Sequence, residues 1–420
     1  SLLSLTNRAG SGRLPAVQAA LWQNLVVSLC LLPFAAPGLG AVTPMDWLWI
    51  ALLGILSILA LAALCSDNRR RIPLRTVGLA LCLQVLFAAL VLWLPAGQQV
   101  LNGISESVSS VIGYGQEGIA FLFGDLAKFK LGFIFAFNVL PVIIFFSAVI
   151  AILYHIGLMP RVIALLGGGL QKLLGTGRAE SLSATANIFV GMVEAPLVVK
   201  PYLSKMSDSQ FFAVMSCGLA SVAGGTLVGY ASIGVELKYL IAAAFMSAPA
   251  GLAMAKILVP PGADEVDHHQ DVEIPRATNV IEAAADGAMS GLNIAVAVGA
   301  TLLAFVGVIA MLNGLLGWAG DLVGLELSFQ IILGWLFAPV SWLIGVPWDQ
   351  AQAAGALIGT KIVINEFVAF IALVQDQTLN ESSKAIVTFA LCGFANISSM
   401  AILIGGLGAM VPERKSFIAR

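Results

Sequence analysis

The chain has 420 residues, 59% of them hydrophobic and 10% charged, with a formal net charge of −2 and a mean hydropathy of +0.96. Soluble globular proteins carry about 25% charged residues, so this composition excludes a water-soluble fold and reads as an integral membrane protein. The charge balance offers no basic field for nucleic acid. The five cysteines (Cys30, Cys65, Cys82, Cys217, Cys392) lie in apolar runs, as small buried residues rather than a disulfide or metal framework.

A spanning helix needs about 20 apolar residues. In chain order, residues 15–36, 45–65, 76–95, 131–156, 211–233, 239–258 and 290–318 meet that need. Residues 386–411 form a further span, interrupted by Gly393, Asn396, Gly405 and Gly406. Asn68-Arg69-Arg70-Arg71 and Arg75 join the second and third spans; basic loops stay on the cytoplasmic side, so loop 66–75 is expected there. Arg8 and Arg13 place the N-terminus on the same side. The first apolar run is too long, and starts too late, for a cleavable signal peptide. Residues 98–127 mix Ser105, Glu106, Ser107, Ser109 and Ser110 with Val and Ile, the pattern of an amphipathic helix in the membrane interface. Residues 158–203 and 346–376 are apolar but carry a Pro or an acidic–polar cluster at their centres. Each predicts a hairpin that enters the membrane halfway and turns back, tolerated only inside protein or facing a wet cavity. The loop 259–276, with its solvated His268-His269 pair, is acidic and separates two halves. Neither that pair nor His155 makes a metal-binding spacing.

Those halves echo one another. Residues 217–222 read Cys-Gly-Leu-Ala-Ser-Val and residues 392–397 read Cys-Gly-Phe-Ala-Asn-Ile; Glu194 precedes the first by 23 residues and Glu366 the second by 26. A repeated carboxylate-bearing unit in so apolar a chain points to a transporter whose substrate sits where the repeats meet. Around Glu194, Gly191 and Pro196 bracket a turn whose backbone groups lack helical partners. Glu194 is the sole acid of residues 181–206, and an ionised carboxylate at that depth costs several kcal/mol unless paired or hydrated. It serves a polar substrate or a coupling ion, or it pairs structurally with Lys200 or Lys361. In the second half Lys361 and Asn365 share a helical face and Glu366 follows; a Lys361–Glu366 or Lys361–Glu194 pair is the structural alternative. After each hairpin come consecutive small and polar residues: Ser221, Gly224, Gly225 and Thr226, then Phe394, Asn396, Ser398 and Ser399. They predict an unwound midpoint whose carbonyls suit Na⁺, with Asn187 and Ser221 adding side-chain oxygens. The same residues also allow close helix packing, which is the reading for Ser398. Phe394 beside Asn396 sets a ring against a planar base or sugar, or fills core.

From about residue 57 onward the chain resembles the concentrative nucleoside transporter family. The strings that carry the resemblance are Asn-Arg-Arg-Arg-Ile-Pro at 68–73, Phe-Gly-Asp-Leu at 123–126 and Val-Leu-Pro-Val-Ile-Ile-Phe-Phe at 139–146. Three more are Asn-Ile-Phe-Val-Gly-Met-Val-Glu-Ala-Pro-Leu at 187–197, Gly-Thr-Lys-Ile-Val-Ile-Asn-Glu-Phe-Val-Ala at 359–369 and Gly-Phe-Ala-Asn-Ile-Ser-Ser at 393–399. The resemblance implies an all-α polytopic membrane protein: inverted repeats with two re-entrant hairpins and two discontinuous helices on a trimerisation scaffold. It implies cation-driven nucleoside uptake across the inner membrane by a homotrimer, with no enzyme activity and no organic cofactor. Mapped onto this chain, the substrate residues are Gly191, Met192, Val193, Glu194, Thr226, Glu366, Phe394, Asn396 and Ser399. Met192, Val193 and Glu194 would face the base, and the residues of the second half the ribose. The Na⁺ ligands would be the Asn187 side chain, the Val190 carbonyl, Ser221 and the Val222 carbonyl.

The expected organisation is an atypical two-helix extension (1–56), scaffold helices with the interfacial helix (57–157), hairpin one with its broken helix (158–235), further scaffold (236–330) and hairpin two with its broken helix (331–420). Three departures accompany the resemblance. Met192-Val193 stands where the family often has Gln-Thr, and Gly-Met there is similar to the purine-preferring branch. Residues 1–56 look like a fragment of a drug/metabolite-type (EamA-like) exporter, as a fusion near Leu56-Ser57 would produce. Family members usually add one more spanning helix beyond the equivalent of Arg420. The competing expectations are H⁺ coupling, which the oxygen ligands Asn187 and Ser221 disfavour, and a non-transporting membrane protein, which the atypical ends suggest.

Overall fold

A computed structural model describes residues 44–92, 94–127, 134–262, 277–322 and 324–419, and every element among them is helical. The span predicted at 15–36, Cys30, Arg8, Arg13 and the histidine pair 268–269 lie outside the described residues. Helices α1 (Pro44–Leu64) and α2 (Leu74–Leu92) flank the exposed Arg69–Arg71 turn. Next comes α3 (Pro95–Phe123), with proline in its first turn, where a missing N–H costs nothing. It buries Leu101 and Ile119 and exposes Glu106, Ser107, Ser109 and Ser110, together with the apolar Tyr114 and Phe121. The short α4 (Phe135–Asn138) and α5 (Leu140–His155) form one apolar span.

The stretch 158–203 holds three α-helices and a 3-10 turn. Helix α6 (Leu158–Leu174) is closed by Gly175, whose φ of +68° suits glycine and whose N–H donates to the Gln171 carbonyl at 2.8 Å. Helix α7 (Arg178–Ala186) follows, then a non-helical tip over 187–194, then a 3-10 turn (Ala195–Val199) and α8 (Lys200–Leu203). Helix α9 (Asp208–Ala220) starts at a Ser207–Gln210 capping box and breaks at Ser221, which is extended; α10 (Gly224–Ser232) resumes three residues later. Helices α11 (Leu237–Leu258), α12 (Val280–Asp321) and α13 (Phe329–Leu343) lead to α14 (Trp348–Val363) and α15 (Glu366–Gln375). Asn365 caps α15 by accepting the Val368 N–H at 3.0 Å. The second broken helix is α16 (Glu381–Leu391) and α17 (Ile397–Met410), separated at Cys392–Asn396 where Gly393 takes φ +121°. A last turn, α18 (Lys415–Ile418), ends the described chain.

Among the described residues, five helices or broken helices are long and apolar enough to cross a membrane, or six if α13 and α14, bent by 116°, count as one. Burial separates them. The apolar window of α11 is 94% buried, that of α12 only 17%, so α9, α10 and α11 make the centre and α12 leaves Leu292, Leu303 and Leu315 exposed. At 42 residues α12 is about 63 Å long, twice the ~30 Å hydrocarbon thickness. It packs along α5, where a Cβ at Gly291 would stand 2.7 Å from the Ile144 Cα. Helices α13 and α14 touch as closely: a Cβ at Gly355 would meet the Gly334 carbonyl oxygen at 2.7 Å and the Ala338 nitrogen at 2.8 Å. Backbone cannot yield as a side chain does, so Gly355→Ala should destabilise by about 1–3 kcal/mol. A thermal midpoint in detergent equal to that of the unmodified protein would contradict this packing.

Hydrogen bonds show where the segments begin and end. The Asp67 N–H donates to the Leu258 carbonyl (2.9 Å), Thr76 Oγ1 to the Leu174 carbonyl (2.8 Å) and Ser209 Oγ to the Val259 carbonyl (2.7 Å). Lys256 Nζ, on α11, pairs with Glu180 on α7 at 2.8 Å and donates to Ser209 Oγ at 3.0 Å. The starts of α2, α7 and α9 therefore gather with the ends of α6 and α11, beside loop 66–75. The chain leaves this level through α7 and is back by α9, a helical hairpin with its tip at 187–194. Residues 346–376 behave alike: the Asn380 N–H, just before α16, donates to Gln350 Oε1 in the first turn of α14 at 3.1 Å. Arg414, just past α17, bonds the Met206 carbonyl and pairs with Asp208 at 3.8 Å.

Candidate functional site

The first hairpin's tip is seated on the break between α9 and α10. The Gly224 N–H donates to the Phe189 carbonyl at 3.2 Å, and a Cβ at Gly218 would stand 3.1 Å from Met192 Cβ. Asn187, Ser221 and Val222 are all buried at this junction. Asn187 Nδ2 donates to the Ser183 carbonyl at 3.0 Å, while its Oδ1 has no hydrogen-bond partner. Ser183 Oγ and Ser216 Oγ, on α7 and α9, are likewise buried without partners. A buried polar group left unmade costs about 1–3 kcal/mol, so native interiors seldom keep several together. Helices α7 and α9 both end here, each presenting the negative pole of its dipole. Buried neutral oxygens and two helix C-termini fit a small hard cation such as Na⁺.

Beside the junction opens a cavity of about 560 Å³, within the range of small-molecule sites. Four of the predicted residues line it: Val190, Gly191 and Glu194 from the hairpin, and Thr226 from α10. Thr226 Oγ1 donates to the Ala223 carbonyl at 2.9 Å, closing the first turn of α10. Gly191 shapes the acid: the Glu194 carboxylate lies against its Cα, in the space a Cβ would occupy. The facing wall comes from α5 and α12, with Tyr154, His155, Asp286 and Ser290. Sequence reasoning did not single these out for the site. The available signal was polar atoms in otherwise apolar helices.

The second acid is placed differently. Glu366 is buried, and both its oxygens are engaged: Oε1 accepts from the Tyr230 hydroxyl at 2.9 Å and Oε2 from Asn396 Nδ2 at 2.8 Å. Asn396 also caps α17, its Oδ1 accepting from the Ser399 N–H at 2.8 Å and from Ser398 Oγ at 2.7 Å. Tyr230 stacks edge-on to Phe367, with centroids 4.5 Å apart. Glu366, Asn396, Ser399 and the half-buried Phe394 thus form a cluster of their own and do not line the 560 Å³ cavity. Met192 and Val193, expected to face a base, pack elsewhere. Met192 is buried against Gly218, and Val193 Cγ1 would stand 2.7 Å from a Cβ at Gly406 on α17. Two apolar side chains gain more from that packing than from a wet cavity. Of the structural alternatives for Lys361, the one with Glu366 is supported by their electrostatic interaction, and the fully buried Nζ donates to the Ala390 carbonyl at 3.0 Å.

The chain is 52% identical over 383 residues to the nucleoside permease NupC of Helicobacter pylori, covering 88% of this chain and 91% of that protein. It belongs to the concentrative nucleoside transporter family. Its residues 53–126 match the N-terminal part of the Na⁺-dependent nucleoside transporter family, 136–236 the nucleoside recognition Gate and 239–420 the C-terminal part. The mouse sodium/nucleoside cotransporter 2 is 36% identical over 391 residues, 88% of this chain and 59% of that protein. Among solved structures, CNTnw in an inward-facing, substrate-bound state is similar, with a TM-score of 0.85 and 51% identity over 89% of this chain and 92% of that one. The protein is accordingly a member of a family of membrane transporters and not an enzyme.

Proposed function

We propose that the protein imports nucleosides with Na⁺ by alternating access, as a homotrimer in the inner membrane with loop 66–75 in the cytoplasm. The observation that carries the sodium reading is the partnerless, buried Asn187 Oδ1 at the meeting of two helix C-termini. Ser221 and the carbonyls of Val190 and Val222 complete the proposed ligand set. The substrate reading rests on Glu194, the acid that faces the cavity. The two hairpins are read as re-entrant and as an inverted pair, their tips meeting the broken helices from opposite sides of the membrane. Glu366, Phe394, Asn396 and Ser399 join the substrate when the second hairpin closes over the cavity. With Met192 and Val193 turned into packing, the base is read by Glu194 and the tip's backbone, which supports a purine preference without a side-chain amide or hydroxyl. The exposed apolar face of α12 is a surface for copies of the chain to share.

Radiolabelled adenosine and uridine uptake into proteoliposomes tests the reading. Adenosine should accumulate faster than uridine, and only with an inward Na⁺ gradient. Equal uptake with and without that gradient would sink the sodium assignment. Asn187→Ala removes one neutral oxygen ligand, worth about 1–1.5 kcal/mol, so half-saturation by Na⁺ should rise roughly tenfold. The nucleoside KM at saturating Na⁺ should change little; an unaltered Na⁺ curve would exclude Asn187 as a ligand.

A further inference from the structure

Each half of the transporter sets a carboxylate, half-buried Glu194 or buried Glu366, beside a place where two helices end. In the first half, α7 ends at Ala186 and α9 at Ala220, next to Glu194. In the second, α14 ends at Val363 and α16 at Leu391, next to Glu366. A helix C-terminus carries about half a negative charge on its unpaired carbonyls, so each place calls for a cation. In the first half Lys200, which lines the cavity with Glu194, is exposed, and buried oxygens such as Asn187 Oδ1 stand without partners.

The second half already has its cation. Lys361 lies in the last turn of α14 with no exposed surface, and its ammonium donates at 3.0 Å to the Ala390 carbonyl in the last turn of α16. Its position in the repeat corresponds: Lys361 stands 31 residues before Cys392, and Asn187 stands 30 before Cys217. A backbone carbonyl at a helix end is the kind of oxygen that binds Na⁺ in broken transporter helices. The Glu366 oxygens are meanwhile taken by Tyr230 and Asn396.

We propose that the Lys361 ammonium is a tethered cation filling the second repeat's counterpart of the sodium site, so that each protomer takes a single mobile Na⁺. This rests on the sodium reading of the first half. The symmetry of the fold supplies two cation-seeking junctions, and the side chain at one of them closes it to ions from solution. The two carboxylates are then matched alike, Glu194 by an exchangeable ion and Glu366 by a fixed one. Only the first junction changes its charge during transport.

Equilibrium binding of ²²Na⁺ to the purified protein tests this. The unmodified protein should bind one ion per protomer. Lys361→Ala vacates the second junction and should bind two, with a larger rise in thermal midpoint on replacing choline chloride by NaCl. Lys361→Met fills the same space without charge and should bind one. Two ions on the unmodified protein, or one on a folded Lys361→Ala variant, would overturn the proposal and leave Lys361 as a plain counter-ion of Glu366. If Lys361→Ala does not fold, the stoichiometry of the unmodified protein still decides. Zero ions on the unmodified protein would remove the sodium reading and this inference together, an outcome distinct from two.

Discussion

Glu366→Gln should lower nucleoside uptake roughly 10- to 100-fold while leaving a folded protein. The carboxylate holds two bonds, from the Tyr230 hydroxyl (2.9 Å) and Asn396 Nδ2 (2.8 Å), that tie the start of α15 to α10 and to the break before α17. A hydrogen bond to a charged group contributes about 1.5–3 kcal/mol, and each 1.4 kcal/mol is a factor of ten. Glutamine keeps the shape but loses the charge, and its amide nitrogen meets a donor on one side. The cluster that positions Asn396, and through it the Ser399 end of α17, then loosens. Tyr230→Phe removes one bond only and should give the milder loss. Uptake per unit of folded protein in proteoliposomes is the measurement. Wild-type rates in Glu366→Gln would mean that this cluster is structural and takes no part in transport.

Glu194→Gln should also reduce uptake by about 10- to 100-fold, but through binding. Glu194 lines the 560 Å³ cavity, so its charge is available to a nucleoside N–H or O–H donor. The same arithmetic of about 1.5–3 kcal/mol for a charge-assisted bond sets the size. The loss should fall mainly on KM and on nucleoside-induced thermal stabilisation in detergent. Gly191→Ala offers an independent check. The added methyl takes the space in which the Glu194 carboxylate rests, so it should reproduce the binding loss with the acid intact. A Glu194→Gln variant that nucleoside still stabilises as the parent would remove this residue from the site.

The helical plan is legible in the chain because its determinants are local. Asn365, Asn380 and Asn396 cap α15, α16 and α17 with side chains that reach the N–H three residues on. Ser221 and the Gly224-Gly225 pair open the first broken helix, and Gly393 the second, for reasons contained in a few residues. Within 158–203, α6 is apolar enough to read as one hairpin arm, and Gly175 at φ +68° separates it from the hairpin. Tyr230 was not legible as the partner of Glu366, since 136 residues separate the two. Nor did spacing reveal that Val193 would lie against Gly406, or that Asp286 and Ser290 of α12 would face Glu194 across a cavity.

Sequence alone determined that the chain lives in a membrane, that it is helical, where its helices break and which family it resembles, and it singled out two acids in apolar stretches. Tertiary structure decided what those two acids touch. Glu194 and Glu366 are the same group in similar apolar stretches, and although Lys361 and Asn365 stand near only the second, the chain does not say what either carboxylate meets. Their difference lies in partners brought from far away: two donors close on Glu366, while the helices around Glu194 leave a cavity. A buried carboxylate's role depends on whether its hydrogen bonds are already made, and that is settled by packing between distant segments.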